Sequence, residues 1–420
     1  MNDMIDVNIG SAKDNMKSPI HNWYKFTAGF SYKFIDLVID EMGKNPCCIY
    51  EPFAGCGTTL VAAQKKRIRS VGNESQQFMC DVINAKLNWD IDRDVCTGYI
   101  TKILEEVIAK ATIDISDEYN PLLVDLYDIE TLRNLYLLRD SIRSIGDSKY
   151  ELFLNLALSQ TLHKSAIHPI AVPYIVRSKK LVNCGNAIGK FVEIAYQMLA
   201  DLDSMPHHER MANVYKADSR IKNDYIEDGC CDLCITSPPY LNNLDYGEVS
   251  KVHTHFFELT KNWHDITEKV RHQLVTGATT HYRDADFCVE DFKETNFALD
   301  NPKLMDKLMA LYYEIQTNGK NRKGKKSFHI LMMHYFEDMY KVLLEMKRVL
   351  KDGSKAYLIL GDSAPYGVFV PTTQILGDIA QSVGFGEYEI YKIRARGHKW
   401  KNLTNRHNVE LSENILVLYR

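Results

Sequence analysis

Apolar and polar positions fall into blocks along this chain, and their period switches between two and about 3.6, the alternation of strands and helices. The first block runs from Pro46 to Glu74. CCIY is a short β-prone apolar run, EPFAGCGT is a Gly-rich turn, and TTLVAAQKK reads as a helix with Thr58 or Thr59 at its N-cap. SVGNES follows as a second strand ending on an acid, which completes a βαβ unit. ANVYKADSR predicts another strand, ending at Asp218, and CDLCIT a buried strand that runs into TSPPY. Beyond Ser327, FEDMYKVLLEMKRVL places Phe336, Met339, Leu343, Met346 and Leu350 at helical spacing and stops at Lys-Asp-Gly. AYLIL is a strand, PTTQILGDIAQSV a helix ended by Gly384, and EYEIYKI and ENILVLYR two closing strands, expected to be antiparallel.

Between these blocks the pattern is helical. DIETLRNLYLLRDSI and ELFLNLALSQTL are amphipathic by period, and no internal repeat or low-complexity tract occurs. The expected architecture is α/β, a seven-stranded mainly parallel sheet with two largely helical insertions. A core of residues 20–80, 211–262 and 327–420 is interrupted by a helical insertion at 81–210 and a second, at 263–326, as a candidate recognition region. Hydrophobic residues at 45% and charged residues at 25% fit a globular chain, and no run of about 18 apolar residues suggests a membrane span. The first residues, MNDMIDVNIG, do not read as a signal peptide, so a cytoplasmic setting is expected.

Cys231-x-x-Cys234 has zinc-ligand spacing, but no second Cys or His pair stands at a matching distance. In a strand, alternation would point these two side chains to opposite faces, so they are expected to be core cysteines, with no metal.

Ligands of open α/β sheets bind beyond the carboxyl ends of the strands, and three blocks place informative residues there. Glu51, Pro52, Phe53, Ala54, Gly55, Gly57 and Thr58 form the first turn, where glycine lets backbone approach a ligand. Glu74 ends the next strand, where an acid can accept from both ribose hydroxyls, and Asp218 is placed to accept from an adenine amino group. A Gly-rich turn alone is an ordinary strand–helix connection. This one lacks both G-x-G-x-x-G and the P-loop lysine, so a ligand with ribose and adenine but no bridging phosphates fits better. Thr236-Ser237-Pro238-Pro239-Tyr240 is the most specific string. Its two prolines remove two donors and fix two φ angles, leaving rigid carbonyl acceptors beside the Ser237 hydroxyl and the Tyr240 ring.

EPFAGCGTT resembles methyltransferase motif I, and TSPPY resembles motif IV of the amino-methyltransferases that act on DNA. HNWYKF with Gly29, Phe30 and Ser31 is similar to motif X of that family. Ser-Pro-Pro-Tyr, Asp245-Tyr246 and ENILVLYR match its cytosine-N4 type. Departures are Glu51 where motif I usually opens with Asp, and the long stretch between Glu74 and Asp218. The resemblance implies a Rossmann-like methyltransferase fold, S-adenosylmethionine as cofactor, and a target base flipped out of duplex DNA. It places the cofactor against Phe30, Ser31, the first turn, Glu74, Asp218 and Thr236, and the chemistry at Ser237, Pro238, Pro239 and Tyr240. Methylation at cytosine C5 would need a Cys nucleophile in the motif IV loop, and none is there.

Net charge is −4, yet three segments without acids are basic. They contribute Lys164, Arg177 and Lys179; Arg322, Lys323 and Lys325; and Arg394, Arg396 and Lys399 as candidate phosphate contacts. Such runs are often solvated faces; beside a DNA-methylating motif they point to double-stranded DNA, with a restriction endonuclease as a possible companion in a restriction-modification system. The rival readings are an adenine-N6 DNA methyltransferase, an RNA amino-methyltransferase, a non-catalytic cofactor-binding regulator, and a nicotinamide dehydrogenase, which would leave TSPPY unexplained.

Overall fold

A computed structural model describes residues 8–26, 28–170, 175–206, 208–242, 244–277, 284–320, 326–396 and 409–420. Its centre is a seven-stranded sheet in the order β3-β2-β1-β4-β5-β7-β6. The strands are β1 (Cys48–Glu51), β2 (Arg69–Glu74), β3 (Ala212–Lys216), β4 (Cys231–Thr236), β5 (Leu350–Gly361), β6 (Tyr388–Arg396) and β7 (Leu411–Tyr419). β1 to β5 pair in parallel, and β7 runs antiparallel between β5 and β6. This is the Rossmann-like methyltransferase fold, and the strand order reverses between β1 and β4, where such sheets open a crevice.

Alternation divides the sheet's two faces. Ile49, Leu233, Ile235, Tyr357, Ile359, Ile415 and Val417 pack on one side with α1 (Tyr32–Met42) and α2 (Thr58–Lys65). Tyr50, Cys234, Leu358, Leu360, Leu416 and Leu418 face the other core. That second layer is built by α13 (Pro302–Gly319), α14 (Phe328–Val349) and α15 (Thr372–Ser382), which ends before Gly384 at φ 97°. α3 (Gln77–Leu87) follows β2 and carries α4 (Arg93–Ala109), α5 (Pro121–Val124), α6 (Ile129–Arg143), α7 (Ser148–Ser165) and α8 (Ala187–Leu202) in a largely helical core that also takes Leu60 and Val61 of α2. α9 (Tyr246–Phe256) leaves the β4 turn, and the short α10 (Trp263–Lys269), α11 (Val289–Lys293) and α12 (Asn296–Asp300) precede α13. Among the described residues no helix is long and apolar enough to cross a membrane.

Two local expectations are corrected. Neither Thr58 nor Thr59 caps α2: Gly57, at φ 82°, stands at the N-cap, and both hydroxyls have tertiary partners. Thr58 Oγ1 accepts from Asn15 Nδ2 at 3.3 Å, and Thr59 Oγ1 donates to Glu51 Oε2 at 2.7 Å. Cys231 and Cys234 do not face opposite ways, because a register irregularity between Cys231 and Leu233 resets the alternation and puts both in one core. There Cys231 Sγ lies 3.3 Å from Cys48 Sγ. The described residues contain no His/Cys/Asp/Glu group arranged to hold a metal.

Candidate active site

A cleft of about 810 Å³ opens at the carboxyl ends of β1, β2 and β4, at the point where strand order reverses. Its floor is the first Gly turn. Gly55 sits at φ 54°, and a Cβ there would press on the Phe26 ring at 3.3 Å, so only glycine leaves both backbone and ring in place. The Gly55 N–H donates to Glu74 Oε2 at 2.9 Å, and the Gln76 N–H donates to Oε1 at 2.9 Å. Each Glu74 oxygen therefore holds one backbone donor and retains acceptor capacity on the cleft side. Burial pushes the Glu74 carboxyl up to about 7, against the pull of these backbone bonds.

Glu51, at the end of β1, is buried and inward-facing. Oε1 accepts from Phe53 N at 3.1 Å and Oε2 from Thr59. Burial raises its carboxyl to about 8, although hydrogen bonds from Thr236, Thr59 and Phe53 lower it. Its hydrogen bonds anchor the turn.

Asp218 lies on the opposite rim, gripped by Arg220, whose Nε reaches both carboxylate oxygens at 3.0 and 3.1 Å. The same guanidinium donates to Asp338 Oδ2 at 3.1 Å and to the His272 carbonyl at 2.8 Å. Thr276 adds backbone and hydroxyl donors to Asp338, each at 2.9 Å. This ionic knot folds Gln273, Leu274 and Val275 over the cleft as a roof.

Of the residues expected to hold a cofactor, Phe30, Glu51, Pro52, Phe53, Ala54, Gly55, Thr58, Glu74 and Asp218 line the cleft. Ser31 caps α1 and donates to Asp14, Gly57 turns beneath the floor against Ile83, and Thr236 is buried at the end of β4. Phe26, the last residue of the HNWYKF match, lines it as well, whereas sequence reasoning did not single out Asn73, Gln76, Met79 or the 273–275 roof as lining residues. Tyr246, part of the Asp245-Tyr246 match, also lines the cleft, although the sequence reading gave it no place there.

A second chamber, about 600 Å³, adjoins the first. Ala28, Gly29, Phe30, Ser237 and Tyr246 line both, so Ser237 stands at the junction. Ser237 Oγ donates to the Ile359 carbonyl at 3.0 Å, which leaves its lone pairs to accept. The Pro239 carbonyl instead accepts from Tyr335 at 2.9 Å, which stiffens the double-proline turn from behind. Tyr240 lines the second chamber, with its hydroxyl donating to Glu413 Oε1 at 3.1 Å.

The basic candidates divide. Arg394 and Arg396 lie in the second chamber's wall, Arg394 paired with Glu413 at 2.7 Å. Lys164, Arg177 and Lys179 are exposed, Arg177 with Asp125 at 3.3 Å. Arg322, Lys323, Lys325 and Lys399 lie outside the described residues.

No family model matches the chain. It is similar to the type II methyltransferase M.BsoBI of Geobacillus stearothermophilus, at 20% identity over 97% of this chain and 87% of that protein. The type II methyltransferase M.AvaI of a Nostoc species is 22% identical over 91% of this chain and 82% of its own length. M.MvaI of Kocuria varians, a third type II methyltransferase, is 21% identical over 98% and 93%. Along nearly its whole length the chain is thus similar in sequence to type II methyltransferases.

Proposed function

We propose that this protein is a site-specific DNA methyltransferase that modifies the N4 amino group of cytosine in duplex DNA. The carrying observation is the pair of chambers joined at Ser237, one built like a nucleoside site and the other walled by Tyr240. The similarity to type II methyltransferases supports DNA as substrate and a restriction endonuclease acting on the same site as companion.

The first cleft fits S-adenosylmethionine by its donors and acceptors. Glu74 offers acceptors for a vicinal diol, Asp218 one for an amino group, and Phe26 and Phe30 apolar faces. Lys and Arg are absent from its lining among the described residues, which suits a ligand without bridging phosphates. Bound there, the cofactor supplies an electrophilic sulfonium methyl.

The remaining work belongs to the chain. Cytosine N4 is a weak nucleophile because its lone pair is delocalised into the ring. Ser237 Oγ and the Pro238 carbonyl accept its N–H bonds and hold the nitrogen pyramidal, with the lone pair toward the first cleft. Tyr240, tethered to Glu413, is the wall on which the flipped ring stacks. Catalysis is then orientation and fixed dipoles, with no covalent enzyme intermediate.

Incubation with tritiated S-adenosylmethionine and unmethylated DNA, followed by nucleoside separation, tests this. N4-methylcytosine is the expected product. N6-methyladenine would move the assignment to the adenine type, and no incorporation would refute methyl transfer.

A further inference from the structure

The wall of the second chamber carries charge that the chemistry at Ser237 does not use. Glu413 on β7 is buried, holds the Tyr240 hydroxyl and pairs with Arg394 on β6, so these two charges neutralise each other. Arg396, two residues further along β6, has no carboxylate partner among the described residues, and its guanidinium lies 5.1 Å from the Tyr240 ring centroid. Both charged heads are seated on glycines. A Cβ at Gly361 would collide with Arg396 Nη1, and one at Gly10 with Glu413 Oε2. The chamber therefore offers an acceptor hydroxyl at its junction with the first cleft and, in its wall, a donor fork without a carboxylate partner among the described residues.

A guanidinium fork is best matched by two adjacent acceptors in one plane. Cytosine carries such a pair beside its amino group, ring N3 and carbonyl O2. Adenine presents N1 followed by a C–H there, which would leave one N–H of the fork against carbon. We propose that Arg396 is the specificity-determining residue of the acceptor chamber, donating to N3 and O2 of the flipped cytosine while Ser237 takes its amino group. This rests on the cytosine-N4 reading above and names the residue that enforces it. Glu413 contributes by tethering the Tyr240 hydroxyl, which fixes the ring relative to the fork 5.1 Å from its centroid.

The test compares full-length Arg396→Met, Arg396→Lys and Gly361→Ala with the wild type on unmethylated genomic DNA. It reads single-turnover methyl transfer, nucleoside identity by mass spectrometry, cofactor Kd by calorimetry, and Tm. Arg396→Met is expected to slow transfer roughly 10- to 100-fold, the range for one bidentate base contact. Arg396→Lys keeps the charge but not the fork, and Gly361→Ala displaces the fork with its charge intact. Each should slow transfer about tenfold with cofactor Kd and Tm near wild type. If Arg396→Met does not fold, these two decide the matter. Transfer within about threefold of wild type in both would overturn the proposal, as would losses that track cofactor Kd and Tm, the signature of a structural staple. A wild type that makes only N6-methyladenine would remove the underlying cytosine reading. N4-methylcytosine from a wild type whose variants are unimpaired would remove the arginine assignment alone.

Discussion

At the scale of single residues, Glu74 carries the sharpest consequence. Its carboxyl is raised to about 7 by burial, so in the free protein it is substantially protonated near neutral pH. Ribose hydroxyls donate best to an ionised carboxylate, so S-adenosylmethionine binding should weaken as pH falls below about 7, by up to about tenfold per unit. The free protein has the opposite sign. A carboxyl raised from 4.5 to about 7 contributes stability that is full below 4.5 and lost as pH climbs through 7. Glu74→Gln should weaken cofactor binding roughly 10- to 100-fold, the range for hydrogen bonds to a charged group, and flatten its pH dependence. Calorimetry at pH 6, 7 and 8 checks both, and equal affinities across that range in the wild type would remove Glu74 from the site. Glu74 and Gly55 were legible in the sequence because a strand end and a tight turn are local events. Gln273 to Val275 were not: they reach the cleft only through Arg220 and Asp338, which no spacing reveals.

At the scale of elements, period sufficed wherever one face met one core. The helices expected from DIETLRNLYLLRDSI and ELFLNLALSQTL are α6 and α7, and the closing strands are antiparallel β6 and β7. It failed where a neighbour intervened, as at the irregularity in β4 and at Thr58, whose hydroxyl faces Asn15 instead of capping its helix. One contact between elements is titratable. His163 on α7 and His253 on α9 meet Nε2 to Nε2 at 3.1 Å, with His253 stacked on Phe78 of α3 at 4.6 Å. One ring must donate and the other accept, so the two cannot both be protonated while the contact holds. Burial lowers His163 to about 4, and lowers His253 well below its ordinary value. The unfolded chain takes up these protons near 6.5 while the folded chain resists, so stability is full above 6.5 and lost as pH falls toward 4. Thermal melts should show Tm declining between pH 7 and 5, and His163→Gln should make that decline shallower. An unchanged slope in the variant would show that the pair does not contribute.

At the scale of the whole molecule, a chain of net charge −4 has to meet a polyanion, so its cations must be segregated. The segment GKNRKGKK, at 319–326, concentrates them without an acid, between α13 and α14. Residues 321–325 lie outside the described residues, so charge and position along the chain carry the expectation. Each lysine that neutralises a phosphate releases counterions, and affinity then falls with salt by a slope of about 0.9 per neutralised phosphate. Replacing Lys323, Lys325 and Lys326 by Glu should weaken DNA binding at low salt and lower that slope by about one for each phosphate left unneutralised. Cofactor affinity should stay near wild type if the segment acts on phosphates alone; Lys326, the described one of the three, does not line the first cleft. Filter binding from about 50 to 200 mM salt, the range over which such slopes are steep, measures the change directly. Parallel salt plots for variant and wild type would mean that these lysines face solvent, and that the neutralising cations lie elsewhere, with exposed Lys164 and Lys179 the next to test.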